Sequence, residues 1–466
     1  MKNSKTIERG YRQRLMFSYG LGDAGTGLAA AQLGFYLLPF FTCAASLPVW
    51  VGGVLLTVTK LWDAFNDPLI GWLSDHTRSR WGPRLPWIAI GAAPLGISLA
   101  AIWWVPPGGV FEKTFYYVFI VVLLMTAYTS VNLPYAALAS ELTTQTSIRT
   151  RLNAARFTGS IIASLTGLLV ASLLTSKGTA GYIEMGRITG TIATLTTLCC
   201  CWGLAPFAKK AQQPKQKTEP LLNQLSRIIR NNYFIKVLSL YLLLWCGLQL
   251  MQTVALFYLV QVIRLPVTIS TWLLLLFQIS ALAGLQTWSV YSNKHGRIKA
   301  LNKGGGLWIG ACILTMFLPP LSHQVNVFSL LDIASADGLK MLSLVACILL
   351  AGFGASTAYL IPWSLLPDAI DSDPDKPAGS YTAWMVLIQK ILVALSVLLV
   401  TCLLWLAGYQ SAPECTGAMT FADQPASAVL TIRLFMGLIP ALLVAIGLRV
   451  MRHWPNQSKT VKVLVS

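Results

Sequence analysis

The sequence predicts an all-α membrane protein with twelve transmembrane helices arranged as two pseudo-symmetric six-helix bundles. Two observations decide the class. The chain has 466 residues, of which 55% are hydrophobic and 11% are charged, whereas a soluble domain carries about 25% charged residues. The hydrophobic residues also lie in long runs separated by short polar loops, and no polar stretch is long enough to form a soluble domain. We therefore expect a polytopic membrane protein.

Each predicted span is an apolar segment of roughly the 20 residues that a bilayer core requires. The twelve segments cover residues 15–43, 48–73, 87–105, 114–139, 153–175, 187–206, 233–262, 269–291, 304–321, 341–366, 380–409 and 427–449. The first is too long for the core of a signal peptide, so we expect it to remain in the mature protein.

Orientation follows from the basic residues. The formal net charge is +18, but the bases lie in short loops rather than on one basic face, which argues against a nucleic-acid partner. The side that holds both termini carries 25 Lys and Arg in its loops and tails, and the opposite side carries 4. The positive-inside rule therefore predicts cytoplasmic termini, in the inner membrane if the protein is bacterial.

The longest cytoplasmic connection divides the spans six and six. We predict an N-terminal bundle in 1–206, a polar linker in 207–232 and a C-terminal bundle in 233–466. The halves echo each other weakly, because the stretch from Gly71 to Arg84 after the second span is similar to the stretch from Gly284 to Arg297 after the eighth. Paired halves with a binding site between them near mid-membrane are a known transporter plan.

The second span carries charged residues where lipid would be expected. Lys60, Asp63, Asn66 and Asp67 lie at helical spacing on one face. Ionisable residues are costly inside a membrane and therefore point to function. We expect this face to line a central cavity.

Polar residues of three other spans are predicted at a similar depth. At about 1.5 Å per residue, Asp63 and Asp67 lie roughly 15 and 9 Å from the cytoplasmic end of their span. Asp23 of the first span, Asn132 of the fourth and Lys390 of the eleventh fall at roughly 10 to 15 Å. Such a shared layer is what a single polar site would produce.

The chemistry of this layer is cation coordination or proton exchange, because carboxylate, amide and hydroxyl oxygens are the ligands of small hard cations. The predicted cation ligands are Asp63, Asp67, Asn66, Thr129 and Asn132, with the two carboxylates as the metal-type ligands. Lys390 or Lys60 would stabilise the ionised carboxylates when the cation is absent. The alternative is a buried ion pair that only holds helices together.

Substrate contacts are predicted around the same layer, at Asp23, Lys60, Tyr128, Arg156, Trp384 and Lys390. Tyr128 and Trp384 could stack on a sugar or a lipid headgroup, although most Trp and Tyr residues of membrane proteins are interface anchors or packing. The nine cysteines show neither metal-ligand spacing nor a disulfide framework.

Cytoplasmic loops carry a second charge pattern. Basic loops of the first half could latch onto an acidic loop of the second half and close the cytoplasmic side, or all of these charges could simply be solvated. The predicted gating residues are Asp75, Arg78, Arg80, Arg84, Glu141, Arg149, Arg151, Asp368 and Asp371.

Several of these residues belong to longer motifs. The stretches concerned are Trp62–Gly71, Thr77–Gly82, Pro86–Trp87, Asn132–Tyr135, Pro362–Ala369 and Gln389–Lys390. They closely resemble the major facilitator superfamily, specifically its glycoside–pentoside–hexuronide:cation symporters, from about Tyr19 to Arg452. The resemblance implies the major facilitator fold, alternating access and cation-coupled symport of a sugar-like solute.

The resemblance further implies a cation site built from Asp63 and Asp67, helped by Thr129 and the residue at Asn132, with Lys390 nearby. Lys60 and Arg156 fall where melibiose-type members carry basic residues around the sugar. Two positions depart from that pattern: Asn132 replaces an Asp, and Gly27 stands where those members have a sugar-binding Asp. Asp23 lies one turn from Gly27.

Other functions remain open at this point. The same superfamily branch includes sodium-dependent lysophospholipid symporters, which share the second-span pattern. A non-transporting receptor on the same fold would need neither Asp63 nor Asp67, and no nucleophile–base pair supports an enzyme. We expect no cofactor beyond a coupling ion, with sodium favoured over a proton because Asn132 keeps a carbonyl oxygen. The expected partners are a small solute or lysolipid, the cation and membrane lipid, and we expect a monomer.

Overall fold

The computed structural model describes residues 13–142, 146–208, 229–321, 335–372, 378–410, 423–452 and 454, and every regular element in them is a helix. Numbered in chain order, the helices are α1 (Gln13–Ala44), α2 (Val49–His76), α3 (Leu85–Ala101), α4 (Val110–Leu142), α5 (Thr146–Leu174), α6 (Thr179–Ala208), α7 (Asn232–Phe257, continued by a π-helical turn to Val262), α8 (Val267–His295), α9 (Arg297–Phe317), α10 (Ala336–Asp371), α11 (Ala378–Leu406) and α12 (Ala426–Met436 with Leu438–Val450).

These helices occupy the positions of the twelve predicted spans. Nine of the described helices are long and apolar enough to cross a membrane. Of the other three, α3 is a shorter apolar helix of 17 residues, α2 carries Lys60, Asp63 and Asp67 in its interior, and α9 begins with a basic segment. We call the membrane side on which α1 begins the terminal side, and the side on which α1 ends the far side.

Most helices extend past their predicted bounds, and the fifth, sixth and ninth begin earliest relative to them, the fifth at Thr146 rather than at 153. The sixth helix begins at Thr179 rather than at 187, because the exposed Glu184 and Arg187 belong to its first turns and made that stretch look like a loop. The ninth runs over Arg297–Phe317 rather than 304–321. It starts earlier through a basic first turn and ends before Pro319 and Pro320, which cannot continue a helix.

Helices α1 and α12 are interrupted. In α1 the helical hydrogen bonding breaks at Gly22–Asp23 and resumes at Ala24. In α12 the break is at Gly437, where an added Cβ would lie 2.7 Å from the carbonyl oxygen of Cys312 in α9. Glycine at this point permits the close approach of α9 and α12.

The chain divides into two compact units. One contains Met1–Thr218 together with Gln252–Leu275 and Ala394–Ile432, and the other contains Glu219–Met251, Leu276–Val393 and Arg433–Ser466, each through its described residues. The first unit thus combines α1–α6 with the far-side ends of α7, α8, α11 and α12. A division at the 207–232 linker stays a prediction, because most of that segment lies outside the described residues.

Far-side packing holds the first unit together. The hydroxyls of Tyr36 in α1 and Thr271 in α8 are hydrogen-bonded. Thr57 in α2 donates to the carbonyl oxygen of Ala394 in α11 at 3.3 Å. Gly53 in α2 lies so close to Thr401 in α11 that an added Cβ would be 2.5 Å from the Thr401 Cβ. The far ends of α8 and α11 therefore pack directly against α1 and α2.

Seven cysteines of the described part are free thiols. Cys43, at the far-side end of α1, is disulfide-bonded. The sequence showed no disulfide pattern because a single bond leaves no spacing signature.

Candidate cation and substrate site

Three oxygen atoms converge between α2 and α4. The Thr129 hydroxyl lies 3.1 Å from Oδ1 of Asp63 and 3.3 Å from Oδ1 of Asp67, within donating distance of both. Asp63 and Asp67 are one helical turn apart and half-buried, and Thr129 is buried. A small cation could be bound by the two carboxylate oxygens and by the hydroxyl oxygen once the hydroxyl proton turns away from them. We call Asp63, Asp67 and Thr129 the acidic triad.

Two further contacts hold α2 and α4 at this level. Trp62 Nε1 donates to Thr126 Oγ1 at 2.9 Å. The buried Asn66 directs its Nδ2 to the carbonyl oxygen of Met125 at 3.5 Å. Asn66, predicted as a cation ligand, thus uses its amide nitrogen toward the α4 backbone. Sequence reasoning missed Thr126. Its position one turn before Thr129 would have placed it on the same face of α4.

A second polar cluster joins α1, α4 and α5. Arg156 donates from Nε to Asp23 Oδ2 at 3.0 Å and from Nη2 to Asn132 Oδ1 at 3.1 Å. Thr26 donates to Asp23 Oδ1 at 2.7 Å. The side chains of Arg156 and Asp23 are only 19% and 9% exposed. We call Asp23, Asn132 and Arg156 the arginine cluster.

The break in α1 positions this cluster. Tyr19 and Tyr135 stack with ring centroids 4.6 Å apart, and each hydroxyl donates to the other's carbonyl oxygen. Gly22 has no Cβ, so the Tyr135 ring fits against the break. The Arg156 guanidinium lies 5.4 Å from the centroid of the same ring, where a cation is attracted to the aromatic face. Sequence reasoning missed Tyr19, which carries no local signal.

Gly27 is enclosed by α5. An added Cβ would lie 2.7 Å from the carbonyl oxygen of Ser160, and Ser164 donates to the Gly27 carbonyl oxygen at 2.9 Å. The backbones of α1 and α5 approach too closely here for any side chain. In this chain the carboxylate of the first helix is that of Asp23, one turn earlier.

Tyr128 directly precedes Thr129 in α4 and is half-buried. The charged groups near enough to influence it electrostatically include Asp23, Asp63 and Arg156, which come from both clusters. Its role as a substrate contact stays a prediction.

The remaining predicted site residues are placed as follows. Lys60 is half-buried in α2, one turn before Asp63. Trp384 and Lys390 are half-buried in α11, within the second compact unit. Their roles stay predictions. Among the described residues no three His, Cys, Asp or Glu side chains gather as a metal cluster, so a cation bound at Asp63 and Asp67 would also need neutral oxygens.

On the terminal side, Arg84 donates to Ser74 Oγ at 2.6 Å, while Arg78 and Arg80 are exposed. Asp368 in α10 forms an ion pair with Arg297 in α9 at 2.6 Å, and Arg297 also donates to the Ser364 carbonyl oxygen. The side chains of the other predicted gating residues lie outside the described set: Asp75, Glu141, Arg149, Arg151 and Asp371.

Arg297 was missed as a partner of Asp368. The signal was its position at the end of the Gly284–Arg297 stretch, which parallels Gly71–Arg84 in the first half. Both arginines bond a serine near the terminal-side end of a neighbouring helix. The cross-half latch stays a prediction.

The architecture matches solved transporters. A nucleoside transporter, NupG, superposes with a TM-score of 0.67 at 14% identity, covering 95% of this chain and 100% of that one, which shows the fold. A family model described as MFS/sugar transport protein matches residues 18–455. The chain belongs to this family. The predicted major facilitator fold is therefore confirmed, and the protein is a multi-pass membrane transporter rather than an enzyme.

Curated relatives are symporters. An uncharacterized symporter of Synechocystis sp. is 29% identical over 94% of this chain and 93% of its own length. The sodium-dependent lysophosphatidylcholine symporter 1 of Gallus gallus is 22% identical over 94% and 85%. The glucuronide carrier protein homolog of Escherichia coli is 33% identical, but over 34% and 35%. The predicted symport, of a small molecule driven by a coupling ion, is confirmed at this level.

Proposed function

We propose that the protein couples entry of sodium to uptake of a glycoside-like solute, with Asp63, Asp67 and Thr129 as the sodium site. The observation that carries the proposal is the convergence of two carboxylates and one hydroxyl on α2 and α4. Sodium requires several oxygen ligands at once, and this group offers both anionic and neutral oxygens. A proton would need a single carboxylate and no hydroxyl oxygen.

The solute binds beside the arginine cluster. Arg156, Asp23 and Asn132 supply donors and acceptors suited to a hydroxyl-rich or carboxylated ligand, and Tyr128 supplies an aromatic face next to them. The similarity to the glucuronide carrier protein homolog of Escherichia coli supports a sugar-like solute. Lys60, one turn before Asp63, is a further proposed contact, and Trp384 and Lys390 of the second unit stay predicted substrate contacts.

A lysophospholipid is the second candidate. The lysophosphatidylcholine symporter resembles this chain over nearly its whole length, whereas the glucuronide carrier homolog matches only about a third of it. A zwitterionic headgroup would place its phosphate on Arg156.

The terminal side is proposed to be cytoplasmic. It carries most of the loop bases, and the disulfide of Cys43 lies on the far side, as expected of an oxidising exterior. The far-side packing of α1 and α2 against α8 and α11 then supports a state closed to the outside. We propose a monomer surrounded by lipid in the cell membrane, which is the inner membrane if the protein is bacterial.

The test is uptake into proteoliposomes at fixed pH, with radiolabelled methyl glucuronide and lysophosphatidylcholine as probes and sodium replaced by choline in parallel. We expect sodium-dependent accumulation of one probe and its loss in Asp63→Asn. The exposed Arg187→Gln serves as the matched control and should transport normally. Uptake that persists in choline but stops with a protonophore would replace sodium by a proton, and no accumulation of either probe would contradict the proposed substrates.

A further inference from the structure

Helix α4 carries a member of both the acidic triad and the arginine cluster. Asn132 lies three residues, about one helical turn, after Thr129. Its amide oxygen accepts from Arg156 Nη2 at 3.1 Å. A neutral oxygen one turn along α4 from the triad is therefore already bonded to a guanidinium.

Charge disfavours cation coordination by this oxygen while the bond to Arg156 lasts. An amide oxygen has two lone pairs, so geometry alone would permit a second partner. A cation on that oxygen would, however, lie within a few ångströms of the guanidinium, and two positive charges at such a distance repel strongly in a partly buried site. While Arg156 holds Asn132, a cation has Asp63, Asp67 and Thr129 as ligands.

We propose that Arg156 withholds the amide oxygen of Asn132 from the cation until substrate draws the guanidinium away, and that Asn132 then completes the cation site. This inference rests on the proposed function and assigns the coupling of its two sites to one hydrogen bond. Arg156 is the positioning residue, because it acts on the cation through Asn132.

The surroundings of Arg156 suit this role. Thr26 donates a hydrogen bond that holds Asp23 at the break of α1. Asp23 can therefore keep its bond to Arg156 Nε while the Nη groups of Arg156 change partners. A guanidinium has five N–H donors, of which two make the bonds to Asp23 and Asn132 described above. A substrate oxygen that competes with Asn132 for one of them frees the amide oxygen. Cation and substrate then strengthen each other's binding, as thermodynamic linkage requires.

The first test measures sodium affinity of the purified protein by isothermal titration without substrate. Thr129→Ala should weaken sodium binding about tenfold, since it removes a ligand. Asn132→Ala should change it less than about twofold, since its oxygen is not available in this state. If Asn132→Ala weakens sodium binding as much as Thr129→Ala, the inference is wrong.

The second test mimics release of Asn132. The pair Asp23→Asn with Arg156→Met removes the guanidinium without changing net charge, and it should tighten sodium binding about fivefold or more. Adding Asn132→Ala to this pair should abolish the gain. A gain that survives Asn132→Ala, or no gain at all, would overturn the inference. If the pair does not fold, Arg156→Gln with and without Asn132→Ala is measured in its place, under the same two criteria.

Asp63→Asn separates this inference from the proposed function. Sodium binding by the parent protein that is lost in Asp63→Asn supports the sodium site, and the Asn132 variants then test the coupling alone. A parent protein that binds no sodium, or binds it unchanged in Asp63→Asn, overturns the sodium site and the inference together.

Discussion

Arg156 in α5 and Asp23 in α1 form an ion pair with Nε and Oδ2 3.0 Å apart, and both side chains are largely buried. The pair lies where the helical hydrogen bonding of α1 is interrupted. It thereby ties an irregular segment of backbone to a regular helix at the depth of the candidate site.

Replacing one member of this ion pair should lower stability more than replacing both members. Asp23→Asn leaves the Arg156 charge buried without its carboxylate, and the loss of one partner of a buried pair costs about 3–5 kcal/mol. Asp23→Asn with Arg156→Met removes both charges and should recover a large part of that loss. Thermal unfolding of the purified variants measures the order, and a double variant less stable than Asp23→Asn would contradict the pairing.

Restoring a side chain at Gly27 should harm the fold rather than improve transport. Gly27→Ala forces a Cβ to within 2.7 Å of the Ser160 carbonyl oxygen, so α1 and α5 must separate. We expect a lower melting temperature and reduced uptake, and still less stability in Gly27→Asp. Gly306→Ala, where an added Cβ meets nothing within 4 Å, is the matched control. Equal melting temperatures for the two alanine variants would refute the close packing.

A Cβ at Gly53 should open the far side. It would lie 2.5 Å from the Thr401 Cβ, so α2 and α11 could no longer meet as they do here. Trp50 and Trp405, with ring centroids 6.5 Å apart, are suitable positions for a cysteine pair. In a protein that carries Trp50→Cys and Trp405→Cys, oxidation should cross-link the two cysteines. Adding Gly53→Ala to this protein should greatly reduce the cross-linking.

Gly52→Ala provides the control for that experiment. Its Cβ would meet the end of the flexible Leu38 side chain in α1, which can move aside, so cross-linking should stay near the parent level. Equal cross-linking in Gly52→Ala and Gly53→Ala would show that far-side closure does not depend on the Gly53–Thr401 contact.

Arg297 should not be replaceable by lysine. Its Nη1 and Nη2 both face the Asp368 carboxylate, and Nη1 also bonds the Ser364 carbonyl oxygen, a fork that an ammonium group cannot reproduce. We expect Arg297→Lys to lower unfolding stability by about 1–3 kcal/mol, measured by denaturant titration. Lys299→Arg in the same helix turn is the control. Unchanged stability in Arg297→Lys would mean that the fork contributes nothing.

Helix content and the acidic triad follow from local sequence features. Asp63 and Asp67 share a face through i,i+4 spacing, and their depth matches that of Thr129 when residues are counted from the span ends. Such arguments need only helix geometry. The predicted bounds of the sixth and ninth spans were wrong where Glu184 or Lys299 makes a helical turn as polar as a loop.

The arginine cluster could not be derived in the same way. Arg156 and Asp23 are separated by 133 residues, and nothing local shows that Arg156 also bonds Asn132. The enclosure of Gly27 depends on the distance between two backbones, which the sequence does not encode locally. Asn132 was predicted as a cation ligand on the strength of its oxygen alone, and the structure shows that this oxygen is bonded to a guanidinium.

The central claim is that sodium crosses with the solute through the acidic triad. The most direct measurement is entry of radioactive sodium into proteoliposomes under an inward gradient of the solute that the uptake screen identifies. The account predicts solute-dependent sodium entry in the parent protein and in Arg187→Gln, and none in Asp63→Asn or Asp67→Asn. Solute entry without accompanying sodium, or sodium entry that persists in both carboxylate variants, would contradict it.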